Sequence, residues 1–151
     1  KNSAPDVHMG LSSRFSYKKW DLNFSMRANL GNYVYNNIQS NREAKSTIYD
    51  PAGWLKNRVN SATYTDFENV RYLSSYYIQD ASFLKMDNIS LGYNFDQVIN
   101  NPLSGRLYFT VENPFVITNY KGLDPEFTNN GIDNNIYPHP RVFIVGVSLN
   151  F

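Results

Sequence analysis

The sequence predicts an all-β, antiparallel fold of the kind that crosses a bilayer as a β-barrel, with about five strands supplied by this chain. Three observations predict it. Apolar and polar side chains alternate with period two through most of the 151 residues. The apolar faces read from that alternation carry no charge. Long irregular stretches and short turns also alternate along the chain, as the two ends of an outer-membrane barrel require.

The first strand is expected over 7–17. Met9, Leu11, Ser13, Phe15 and Tyr17 lie on one face; His8, Gly10, Ser12, Arg14 and Ser16 lie on the other. Lys18 and Lys19 form a short turn into a second strand over 20–32. There Leu22, Phe24, Met26, Ala28 and Leu30 alternate with Asp21, Asn23, Ser25, Arg27 and Asn29, giving a tight hairpin. Regularity then fails over 36–75, a stretch rich in Asn, Ser, Thr and Tyr with a turn at Asp50-Pro51-Ala52-Gly53. A loop that long is uncommon in a compact domain unless it is functional. A short helix is expected within it, from Trp54 to Val59.

The third strand is expected over 77–95. Leu84 and Met86 share a face, and Ile89, Leu91 and Tyr93 share the opposite parity. One extra residue near Asp87-Asn88, a β-bulge, would bring both sets to one side. After a connection over 96–105, the fourth strand runs over 106–117. Its Leu107, Phe109 and Val111 oppose Arg106, Tyr108, Thr110 and Glu112. Pro114 has no N–H to donate, so the ladder should weaken there. A second long loop, 119–140, holds Asp124-Pro125 and Pro138-His139-Pro140. The fifth strand covers 141–151, where Phe143, Val145, Val147, Leu149 and Phe151 alternate with Ile144, Gly146, Ser148 and Asn150.

Twenty-two apolar-face positions result: 9, 11, 13, 15, 22, 24, 26, 28, 30, 84, 86, 89, 91, 93, 107, 109, 111, 143, 145, 147, 149 and 151. None is charged, whereas a chain with 18% charged residues would place about four there by chance. Lipid demands such a face, since Arg or Lys at mid-bilayer costs about 2–4 kcal/mol. Arg14, Asp21, Arg27, Lys85, Asp87, Arg106 and Glu112 fall on the opposite faces and suit a wet lumen. If the last strand runs towards the periplasm, loops 36–75 and 119–140 fall outside and turns 18–19 and 96–105 inside. Mean hydropathy is −0.48, which is compatible with alternating membrane strands because their hydropathy averages out. Five strands cannot close a barrel whose smallest members have about eight, so the chain reads as part of a larger one. The opening KNSAPDVHMG has no apolar core segment and is no signal peptide, so a secreted protein would begin elsewhere.

Net charge is +1 and cysteine is absent. No strong field points to nucleic acid, and disulfides, zinc-thiolate sites and thiol nucleophiles are excluded. His8 and His139 are the only histidines, without a third ligand type at useful spacing, so neither a metal site nor a triad is expected. Asp66/Glu68 and Asp124/Glu126 read as solvated loop charge. NNGIDNN, over 129–135, lacks the spacing and closing Glu of a calcium loop. No phosphate-binding glycine loop is present, no cofactor is expected, and no constellation supports an enzyme.

In YIQDASFLKMDNISLGYNF the residues Asp80, Ala81, Ser82, Phe83, Leu84, Asn88, Leu91, Gly92 and Tyr93 resemble a segment of the form DGSFLRLKNVTLGYN. That segment belongs to the C-terminal region of SusC/RagA-type TonB-dependent transporters of the Bacteroidetes. Ala81 stands where Gly is usual, and Lys85-Met86-Asp87 where Arg-Leu-Lys is. FSYKKWDLNFSMRANLGNYVYN, VENPFVITNYKGLDPE and IYPHPRVFIVGVSLNF resemble three more stretches of the same family, in the same order; loop 36–75 matches least.

The resemblance implies the last five or so strands of a 22-stranded barrel, with the plug domain and the N-terminal segment that contacts TonB lying outside this chain. It implies an outer-membrane importer of oligosaccharides or peptides, working with a SusD-like surface lipoprotein. It also implies that Phe143, Val145, Val147, Leu149 and Phe151 form the barrel-closing strand and the signal by which the barrel is recognised for insertion. Substrate choice in such a family is shared among plug, barrel loops and cap. Tyr17, Trp20, Tyr93 and Phe95 are expected in an interfacial aromatic belt. Tyr72, Tyr76 and Tyr77 are expected in the outer aromatic belt, with contact to substrate or cap as their second reading; Trp54 and loop 36–75 are the foremost candidates for contact with substrate or cap. Two other readings stand beside this one: a soluble β-rich carbohydrate-binding module, and a small barrel assembled from several copies.

Overall fold

The computed structural model describes residues 1–96, 104–126, 130–134 and 137–150. In chain order the elements are β1 (Val7–Tyr17), β2 (Trp20–Leu30), β3 (Tyr33–Asn36), α1 (Asn37–Arg42), β4 (Ile78–Asp80), β5 (Phe83–Phe95), β6 (Ser104–Thr118), β7 (Ile132–Asp133) and β8 (Val142–Asn150). Single 3-10 turns lie at Lys45–Thr47, Asn60–Thr63 and Ser75–Tyr77. No helix among the described residues is long and apolar enough to cross a membrane, which says nothing of strands. The chain divides into two compact units.

One unit, Val7–Leu30 with Phe83–Thr118 and His139–Phe151, is a five-stranded antiparallel sheet in the order β1-β2-β5-β6-β8. Its register joins the apolar sets into rows. Phe15, Leu22, Leu91, Phe109 and Val145 are cross-strand partners, as are Ser13, Phe24, Ile89, Val111 and Phe143. The hairpin turns through Lys18, whose φ of 55° lies in the left-handed region, and Tyr17 faces Trp20 across it. The expected bulge is present: Ser25 pairs with Asn88 and Met26 with Met86, leaving Asp87 as the extra residue. A second irregularity lies opposite. Asn88 pairs with Glu112 and Met86 with Phe115, so Asn113, at φ 50°, and Pro114 drop out of the ladder. Pro114 costs the sheet no hydrogen bond there because the ladder is already open.

The other unit, Lys1–Asp6 with Gly31–Ser82 and Asn119–Pro138, is built from the long loops. It holds a three-stranded sheet, β4-β3-β7, in which β3 runs antiparallel to β4 and parallel to β7. Two expectations are corrected here. The strand expected over 77–95 is divided into β4 and β5. The Asp80 carboxylate accepts from Ser82 N at 2.7 Å, turning the chain, while Ala81 N donates to Asn32 O at 2.9 Å and Ser82 Oγ accepts from Gly31 N at 3.0 Å. The helix expected at Trp54–Val59 is absent, and the one α-helix among the described residues is α1. Its N-cap is Asn36, whose Oδ1 accepts from Gln39 N at 2.8 Å. The 54–59 stretch is instead closed at its start by Asp50 N donating to Trp54 O and Lys56 N to Ile48 O. Gly31, at φ 84°, ends β2 and starts the chain back into β3. The apolar core of this unit is small: Val34, Ala81 and Tyr120.

Candidate functional site

The sheet unit has two unlike faces. On one, large apolar side chains stand in the open: Leu11 is 58% exposed, Phe143 65% and Val145 70%. A soluble sheet would bury such residues against a second layer. A shallow apolar depression of about 370 Å³ lies on this face, lined by Trp20, Leu91, Tyr93, Leu107, Phe109 and Val145 among others. The Trp20 and Tyr93 rings pack 4.8 Å apart.

The opposite face is polar and internally paired. Arg106 meets Asp21 in a two-pronged contact, Nε to Oδ2 at 3.1 Å and Nη2 to Oδ1 at 2.5 Å, and Asn94 Nδ2 adds a third donor to Asp21 at 3.2 Å. Asp21 is buried although it sits in an open sheet. The arrangement depends on Gly92. This residue is the cross-strand partner of both Asp21 and Tyr108, and a methyl group there would lie 2.6 Å from the guanidinium that reaches over it. Arg27 Nε donates to Asp87 Oδ1 at 2.9 Å, so the bulged residue supplies an ion-pair partner across the sheet. Ser12 bonds Ser25 at 3.0 Å, Thr110 bonds Ser90 at 2.8 Å, and His8 Nδ1 lies 2.5 Å from Asn29 Oδ1. Such cross-strand pairs are the polar counterpart of the apolar rows on the other face.

The family-motif residues therefore have structural roles. Asp80 and Ser82 make the turn between β4 and β5. Phe83 is buried. Asn88 follows the bulge. Leu84 and Leu91 are apolar-face residues, Gly92 admits the Arg106–Asp21 contact, and Tyr93 carries the ring that meets Trp20.

In the loop unit the four candidate contact residues separate. Trp54 is 60% exposed and lines a polar recess with Arg42, Leu55, Lys56 and Asn57. Tyr72 is exposed, and Tyr76 is half-exposed with its ring edge-on to Phe67 and Tyr77. Tyr77 is fully buried, so it cannot touch a ligand and is corrected to a core residue. Its hydroxyl lies against the Glu43 carboxylate without a hydrogen bond of ordinary geometry. Burial first, and Glu43 second, push its ionisation far above the usual tyrosine range. Tyr120 behaves alike: burial and its 2.6 Å bond to Asp133 Oδ2 keep it protonated.

Sequence reasoning missed a polar cleft in this unit. The buried amide of Gln39 is its hub, with Nε2 donating to Glu43 Oε1 and Ser61 Oγ, both at 3.1 Å, and Oε1 accepting from Gln79 Nε2 at 2.6 Å. Around it Asn36, Arg58, Asn60, Ser61, Tyr64 and Lys121 line a cleft of about 530 Å³. Arg58 is fixed by the carbonyls of Glu43 and Ala44. A smaller recess of about 210 Å³ shares Asn36 and Lys121 and adds Arg42 and Asp133. The cleft's members lie on segments too far apart in sequence for any local pattern to join them.

Phe151 lies outside the described residues, as does most of the 96–105 connection. The other members of its set, Phe143, Val145, Val147 and Leu149, are on β8, an edge strand with its outer side unpaired in the sheet order.

No family model matches the chain. Among curated proteins it is similar over its whole length to the TonB-dependent receptor SusC of Bacteroides thetaiotaomicron, with 44% identity. It is 28% identical over 97% of its length to the TonB-dependent receptor P3 of Formosa agariphila. The chain spans only 16% of each of these relatives. Among solved structures it resembles the RagAB peptide importer in its closed-closed state, with a TM-score of 0.79 and 22% identity over the whole chain and 18% of the matched one. A likeness at that identity establishes the fold, an incomplete all-β barrel.

Proposed function

Because the chain belongs to the SusC/RagA type of TonB-dependent outer-membrane receptors, as a C-terminal stretch of their barrel, we propose that it supplies five membrane-crossing strands to an importer of oligosaccharides or peptides. The importer lies in the bacterial outer membrane and transports rather than transforms its cargo. It works with a SusD-like lipoprotein at its mouth and is energised by TonB, which engages a part of the receptor that precedes the barrel. The observation that carries the reading is the sheet itself: one face of exposed apolar rows fit for lipid, the other closed by ion pairs fit for a lumen.

In this reading the long loops 36–75 and 119–140 are extracellular. Trp54, Tyr72 and Tyr76 are available for contact with cap or substrate. Tyr17, Trp20 and Tyr93 sit in the periplasmic aromatic belt. β8 closes the barrel by pairing its free edge with the first strand of the same receptor, which removes both exposed edges. The soluble carbohydrate-binding module is disfavoured by the uncovered apolar rows. An antibody raised to 36–75 tests the proposal on fractionated cells. A band several-fold heavier than 17.5 kDa in the outer membrane is expected. A 17.5 kDa band in the soluble fraction would overturn it.

A further inference from the structure

The cleft beside Gln39 has a composition that selects a ligand. Among the described residues no carboxylate lines the larger cleft, while two cations do, Arg58 and Lys121. Arg58 is a fixed charge, its guanidinium held by two backbone carbonyls. Lys121 is exposed, and its ammonium group has no partner among the described residues. The neutral groups are donors as well. Asn36 is 4% exposed and spends its Oδ1 on the α1 cap. Its amide nitrogen has no partner among the described residues, and Asn36 lines both this cleft and the smaller recess. Ser61 accepts from Gln39, which leaves its hydroxyl proton to give. Tyr64, 71% exposed, presents a ring at the same cleft.

Fixed amide and hydroxyl donors, an open aromatic ring and two cations together match a hydroxylated ring bearing a carboxylate. The volume of about 530 Å³ is within the usual range for small-ligand sites. We propose that this cleft is a binding subsite for a uronate unit of an acidic oligosaccharide, its carboxylate held by Lys121 and Arg58 and its ring by Tyr64, Asn36 and Ser61. A peptide carboxylate would satisfy the cations but would leave the ring face and the amide donors without matching groups. The proposal rests on the importer reading and names its substrate class.

The test uses the full-length receptor in detergent, with binding of trigalacturonate, maltotriose and an acidic tripeptide measured by calorimetry. Trigalacturonate is expected to bind at least tenfold more tightly than maltotriose, a preference that fades as salt is raised. Lys121→Met is expected to weaken trigalacturonate far more than maltotriose and so to remove most of that preference. Tyr64→Ala is expected to weaken both sugars about equally. Both replaced side chains are exposed and outside the unit's core, and heat-modifiable gel mobility confirms an intact barrel. Equal affinity for the acidic and neutral sugars, a preference that survives Lys121→Met, or tighter binding of the acidic tripeptide would each overturn the subsite. Growth on the bound sugar with and without TonB separates the two claims: loss of TonB dependence sinks the importer reading, whereas the cleft is judged by the binding ratios alone.

Discussion

Replacing Phe143 by Arg puts the lipid-facing account at risk. Phe143 is 65% exposed on β8, in a row with Val111, Ile89 and Phe24. Trp20 and Tyr93 are register partners, Leu107 is the partner of Tyr93, and Val147 is the partner of Leu107. Phe143 thus lies four residues from that aromatic row along β8. At about 3.3 Å per residue and a tilt of about 40°, this is a depth of about 10 Å, near the centre of an apolar band about 25 Å tall. Arg at that depth costs about 2–4 kcal/mol, a factor of about 30 to 700 in the equilibrium between inserted and unfolded protein. In water, at a site so exposed, the same change would be worth within about 0.5 kcal/mol. The control is one residue away. Ile144 points to the other face, in a row with Thr110, Ser90, Asn23 and Arg14, and Ile144→Arg should cost little. The assay is denaturant titration of the full-length receptor in lipid vesicles, read by heat-modifiable mobility. Val145→Arg, only two residues from the aromatic row, should fall between the two. Equal effects of Phe143→Arg and Ile144→Arg would refute the assignment of faces.

Three further outcomes are expected. Asp21→Asn leaves the Arg106 guanidinium without its two-pronged partner and should destabilise the receptor by about 1–3 kcal/mol in the same titration, the partial exposure of Arg106 keeping it below the cost of a fully buried break. Tyr77→Phe takes a buried hydroxyl from beside the buried Glu43 carboxylate and should destabilise the receptor by about 1–3 kcal/mol; a neutral or stabilising effect would show that the two groups are not bonded. The hydroxyl and backbone N–H of Ser82 lower the pKa of Asp80. A depressed carboxylate contributes stability that is full above its unfolded value of about 3.9 and is lost as pH falls through the lower folded value. Hydrogen exchange at Ser82 N should therefore accelerate relative to neighbouring amides as the pH falls below about 4, and Asp80→Ala should abolish that step.

The sheet was legible because its signal is local. Alternation assigns each face, and a parity change within one strand locates the bulge at Asp87 without knowledge of any partner. The loop unit was not legible because its contacts join distant residues and its core is polar. β3 finds β7 in parallel, Tyr35 beside Ile132, with no short-range pattern to announce it. α1 has no apolar stripe and is held through Gln39 to Ser61 and Gln79, so no local pattern marks it within the irregular 36–75 stretch. Tyr77 stands with Tyr72 and Tyr76 just ahead of a strand, and nothing in that pattern separates the three; only the packing around Glu43 and Tyr35 distinguishes it. The cleft needed three separated segments, 36–39, 58–64 and Lys121, to be seen together.

The central claim is that alternate residues of one strand face lipid. Single cysteines placed along Val142–Asn150, in a full-length receptor otherwise free of cysteine, can carry a fluorophore quenched by lipid-borne nitroxides. The account predicts quenching at 143, 145, 147 and 149 and little at 142, 144, 146 and 148. Uniform quenching, or none in membranes that hold the assembled receptor, would contradict it.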